Sequence, residues 1–147
     1  MPNLITRRRL LWAVPVVLVA AAGVGFAAMM QPPDGLDLSL RKPTDKGLYV
    51  AAVEPGLSPL EVGTMHRWVI RITTPQGTPV DGAAISVDGG MPQHGHGLPT
   101  APKVSAQLGE GRYRVEGMKF NMPGWWVVNF AVEGPAGSDT VTFNLVL

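Results

Sequence analysis

The chain has 147 residues, no cysteine, and a formal charge of +1 from twelve Lys/Arg against eleven Asp/Glu. Without cysteine it has no disulfide, no thiolate ligand and no thiol nucleophile. Arg7, Arg8 and Arg9 supply three of the twelve bases, so the part beyond residue 30 carries nine bases against eleven acids; it is mildly acidic and offers nucleic acid no basic patch.

The first element is an uncharged run from Leu10 to Met30, LLWAVPVVLVAAAGVGFAAMM, ended by the breaker Gln31-Pro32-Pro33-Asp34-Gly35. At about 1.5 Å per residue it is about 30 Å long, enough to cross a bilayer core. Three arginines before it and none within it place the N-terminus in the cytoplasm. Residues 1–30 are therefore expected to be a signal-anchor helix, crossing a bacterial inner membrane once with the rest of the chain in the periplasm. Gly25-Phe26-Ala27 gives signal peptidase small residues to cut at, which would release the domain; the run exceeds the roughly 7–15 residues of a signal-peptide core, which favours a retained anchor. The adjacent arginines read either as a twin-arginine export signal or as a plain positive-inside flank.

Residues 31–47 mix Pro, Gly and charge without period and read as a tether. From residue 48 to 147 the pattern is one of short β-rich runs between Gly/Pro/Asp turns. Strands are expected at Leu48–Glu54, Thr64–Thr74, Ala83–Asp88, Lys103–Leu108, Arg112–Phe120, Trp125–Glu133 and Asp139–Leu147. No run shows a sustained 3.6-residue period, so the expected fold is all-β: an antiparallel β-sandwich of about seven strands. Strand alternation puts His66, Trp68, Ile70 and Ile72 on one face, Tyr113 and Val115 inward, and Val141, Phe143 and Leu145 inward. Both rows of residues 125–133 are too apolar to choose between. Gly111-Arg112-Tyr113-Arg114-Val115 resembles the tyrosine corner of immunoglobulin-like sandwiches, where a phenol ties down a crossing loop.

Chemistry is concentrated in Met91-Pro92-Gln93-His94-Gly95-His96-Gly97-Leu98-Pro99-Thr100-Ala101-Pro102. Gly and Pro exclude a helix and make a shaped loop that can aim two imidazoles at one point, although a solvated histidine pair reads equally well from the loop alone. Imidazole with thioether and no thiolate suits copper in an oxidising compartment. The candidate ligands are His94, His96, Met91 beside them, His66 at a strand start, and Met122 in the turn Asn121-Met122-Pro123-Gly124. Zinc is the alternative metal, on His94, His96, His66 and Asp88. No local motif supplies a nucleophile or an acid/base pair, so no enzyme activity is expected.

The block Met91-Pro92-x-His94-x-His96-Gly97-x-Pro99-Thr100-x-Pro102, followed by Gly111-x-Tyr113-x-Val115-x-Gly117-x-x-Phe120-x-Met122-Pro123-Gly124-Trp125-Trp126, resembles the YtkA-like and FixH-like group of small membrane-anchored exported domains over residues 48–147. The resemblance implies an immunoglobulin-like sandwich and a role in metal handling or in the assembly of membrane redox complexes, with Met91, His94, His96 and Met122 as motif residues. The expected function is a membrane-tethered periplasmic domain that holds or passes copper. The rival is a metal-independent assembly subunit whose Trp125 and Trp126 form a contact surface for a membrane redox complex.

Overall fold

Alternating β-rich runs do pair into two antiparallel sheets in the computed structural model, which describes residues 31–147; the expected anchor helix lies outside the described residues. In chain order the strands are β1 (Arg41–Pro43), β2 (Val50–Pro55), β3 (His66–Thr73), β4 (Ala84–Met91), β5 (His96–Gly97), β6 (Lys103–Gly109), β7 (Arg112–Met118), β8 (Trp125–Gly134) and β9 (Gly137–Val146). One sheet runs β1-β2-β3-β7-β6 and the other β5-β4-β8-β9. The seven expected strands are present with shifted ends, and no helix occurs among the described residues. The two unexpected strands are the shortest. β1 falls inside the stretch read as a tether and pairs with β2, and β5 falls inside the histidine loop and pairs with β4.

The core lies between the sheets. Trp68, Ile70 and Ile72 of β3 and Tyr113 and Val115 of β7 face Trp126, Val128, Phe130 and Val132 of β8 and Val141, Phe143 and Leu145 of β9, all buried. Pairing between two partners decides which row of β8 turns inward, a choice its uniformly apolar sequence leaves open. Alternation continued from Tyr113 and Val115 would put Gly117 inward. Instead Met118 and Phe120 are buried, because the register shifts between His66 and Trp68 on β3 and Gly117 takes a left-handed φ of 85°.

Three tyrosine and carboxylate contacts close the end of the sandwich away from the histidines. The Tyr113 hydroxyl donates to Val80 O (2.6 Å) and accepts from Ala83 N (2.9 Å), so the phenol clasps the β3–β4 crossing as expected. Tyr49 does the same for the β8–β9 turn, donating to Gly137 O and accepting from Ala136 N. Asp139, buried in β9, accepts from the Thr44 hydroxyl and from the backbone N–H groups of Lys46, Leu48 and Thr140. Burial alone would raise its pKa, but these four donors outweigh burial and hold the carboxyl at about 2. Asp139 thereby locks the segment after β1 onto the sandwich. In the β6–β7 turn, Gly111 has no alternative, since a Cβ there would lie 2.2 Å from Ile72 O.

Tyr113→Phe leaves a buried N–H and C=O without their partner and is expected to cost about 2 kcal/mol in urea unfolding. Asp139 has a folded pKa below its unfolded value, so its contribution is complete above pH 4 and is lost as the pH falls toward 2. Acid unfolding followed by circular dichroism should show that loss in the native chain, and Asp139→Asn should be less stable at neutral pH and lack that step. At Gly90 a Cβ would lie 2.3 Å from His96 O. Gly90→Ala is thus expected to detach β5 while sparing the core, which hydrogen exchange would report as lost protection at Leu98, whose N–H donates to Gly89 O.

Candidate metal centre

The histidine loop is a β-hairpin. Met91 ends β4 and pairs with His96, Gly90 pairs with Gly97, and residues 92–95 make the connection. His94 N and Gly95 N both donate to Met91 O, at 3.1 and 2.9 Å, which folds the connection tightly enough to bring the two imidazoles together. Their ring centroids are 5.7 Å apart at 75°. Metal–nitrogen bonds of about 2 Å on a shared ion put two imidazole centroids roughly 5–6 Å apart, so this spacing suits one ion. His96 Nδ1 lies 3.1 Å from Gly97 O. A carbonyl oxygen only accepts, so a hydrogen bond here has Nδ1 donating, and in the neutral ring that leaves the Nε2 lone pair for a ligand bond, the second-sphere arrangement that metal-bound histidines use. His94 is half-buried and His96 exposed, so the pair is open to an incoming ion.

Beneath the hairpin lies the turn from Asn121 to Gly124. Trp126 is fully buried, and its Nε1–H donates to Met122 O (3.0 Å), closing the turn. The His96 ring packs edge-on against Trp126, with centroids 5.9 Å apart. Gly124 continues the β8–β9 ladder by exchanging hydrogen bonds with Leu147, and a Cβ on Gly124 would stand 2.9 Å from Met91 Cε. The fold therefore brings Met91, His94, His96 and Met122 to one end of the sandwich. Met91 is buried and belongs to the core, whereas Met122 is half-buried and only packs against it. Met122 is thus the more accessible thioether.

His66 does not join them. It is buried, and its Nδ1 accepts the Trp68 indole N–H at 3.2 Å, so in the neutral ring the proton sits on Nε2, which has no partner. A nitrogen that bears a proton does not ligate. Burial lowers the His66 pKa, which keeps the ring neutral and consistent with a core role. Its ring meets Phe120 at 5.7 Å, and Phe120 meets Trp126 at 5.2 Å, so two aromatic side chains stand between His66 and the hairpin. Among the described residues no group of three or more His, Cys, Asp or Glu side chains gathers to hold a metal, so the four-residue set of His66, His94, His96 and Asp88 considered for zinc is not assembled. Of the two tryptophans expected on a contact surface, Trp125 keeps part of its surface exposed and Trp126 does not. Trp126 is inside, and half-buried Trp125 uses its indole N–H on Asn144 Oδ1 (3.1 Å).

The hairpin histidines and the Met122 turn are legible as candidates in the sequence, but the contacts that place them are not. The Gly97 carbonyl, Gly90 and the Trp126 ring act through β5, a two-residue strand too short to carry a period of its own. No curated protein and no solved structure matches the chain significantly. The family model described as YtkA-like matches residues 44–131, which run from the Thr44 lock through the histidine hairpin and the Met122 turn into β8. With that match covering more than half of its length, the chain belongs to the YtkA-like family.

Proposed function

We propose that this immunoglobulin-like domain holds a copper ion on His94 and His96, with the Met122 thioether as a third donor and Met91 beneath, and passes the ion on without acting as an enzyme. The anchor read in residues 10–30 would hold it on the periplasmic face of the inner membrane. The observation that carries the reading is the His96 Nδ1–Gly97 O contact, which presents Nε2 as a ligand 5.7 Å, ring to ring, from His94.

The chemistry available to the chain supports copper over zinc. Two imidazoles and a thioether form a set of borderline and soft donors, and zinc would need further nitrogen, thiolate or carboxylate ligands that do not gather there. A site with few ligands, one of them exposed, also suits transfer, because a receiving protein can add its own donors before the first are released. His96 already has its ring placed by Gly97 and Trp126 without an ion, which lowers the side-chain ordering that binding would cost.

The test is a titration of the full chain in detergent with cuprous, cupric and zinc ions separately, against a chromophoric chelator. One equivalent of cuprous ion should bind most tightly. His94→Ala with His96→Ala should weaken it beyond the roughly 10–100-fold that outer-sphere changes produce, with an unchanged circular dichroism spectrum. Met122→Leu should weaken cuprous binding more than cupric, and His66→Gln should leave both intact. Unaltered cuprous affinity in the double histidine variant would rule the site out.

A further inference from the structure

Five large apolar side chains are exposed among the described residues: Leu38, Leu40, Val62, Met65 and Val146. Four lie in segments that build one end of the sandwich. Val62 and Met65 are in the loop before β3, which Gly63 N ties to Phe120 O; Val146 ends β9 opposite Trp125, the first residue of β8. Leu38 follows Asp37, whose carbonyl accepts from Asn144 Nδ2, two residues before Val146. Leu40, with its carbonyl on Val53 N, sits two residues further along the same segment. The contact of Phe120 with both His66 and Trp126 shows that the β3 start and the β8 start belong to the same end. The opposite end, with its turns at 44–49, 74–83, 109–111 and 134–137, exposes no large apolar side chain.

This apolar end is also where the chain arrives. The segment from Met30, where the uncharged run stops, to Leu38 reaches at most about 28 Å when fully extended, close to the length of one sandwich strand. An apolar surface on a short lead from a bilayer-spanning run has the lipid surface as its nearest apolar medium. Scattered exposed hydrophobics need no account, but the placing of four of the five at one end does. Half-buried Trp125 stands at the rim, with an apolar ring and a hydrogen-bonded indole N–H, the type of residue that sits at membrane–water boundaries.

From this we infer that the domain rests on the membrane through this end, with Leu38, Val62, Met65 and Val146 seated at the lipid headgroup level. The inference rests on the anchor in the functional reading but not on copper. It places the His94–His96 hairpin beside the bilayer, so that a partner receiving the ion would have to meet it at the membrane surface.

The absence of cysteine allows single labels. The full chain carrying Met65→Cys, Val146→Cys or, in the opposite end, Gln76→Cys would be labelled with an environment-sensitive fluorophore and reconstituted into phosphatidylethanolamine/phosphatidylglycerol vesicles. Labels at 65 and 146 should shift their emission to the blue, be quenched by brominated acyl chains and resist aqueous iodide, while the label at 76 behaves as in water. Iodide quenching at 65 and 146 equal to that at 76, in protein that floats with the vesicles, would overturn the inference and leave the anchor standing. Shielding in native membranes but not in pure lipid would overturn it in favour of a protein partner. Protein that fails to float with the vesicles would overturn the anchor and the inference together.

Discussion

The burial of Trp126 is the constraint on which the loop-bearing end depends. Its indole fills the end of the core against Phe120, its N–H closes the Met122 turn, and its edge supports the His96 ring. One buried side chain thus joins the hydrophobic core to the exposed His96 and, through it, to half-buried His94. That connection explains how so short a hairpin holds a defined geometry. A two-residue strand on a sheet edge has little stability of its own, but a ring packed on a fully buried indole inherits the rigidity of the core.

The two ends of the sandwich divide the work of the molecule. At one, Tyr113, Tyr49 and Asp139 satisfy backbone groups of the turns, and a carboxylate held at about 2 fastens the segment after β1. Those contacts are buried, polar and fully paired, which is the condition under which polar groups add rigidity instead of cost. At the other, Leu38, Val62, Met65 and Val146 are exposed, and of the hairpin imidazoles His94 is half-buried and His96 exposed. The buried polar clasps therefore lie at the first end and the half-buried or exposed imidazoles at the second.

His66 shows why residue type and strand phase alone mislead. It begins the inward row of β3, as alternation requires, and belongs to the same small set of histidines as the hairpin pair. Its nearest polar neighbour is the donor Trp68 Nε1–H, so its proton is forced to the nitrogen that a metal would need. A donor two residues away on the same strand, Trp68, sets which of its nitrogens carries the proton in the neutral ring.

The sequence by itself determined the all-β class, seven of the nine strands, the inward rows of β3 and β9, and the clasp of Tyr113. Each of these rests on local information: period two, Gly/Pro punctuation, or a short motif. The inward row of β8, the phase change at Gly117, the fastening of residues 44–48 by Asp139, and the separation of His66 from His94 and His96 were decided only by the tertiary structure. Each depends on which strand lies alongside and at what register, or on a donor brought from far along the chain. Interactions of that range leave no periodic trace in either of the segments that make them.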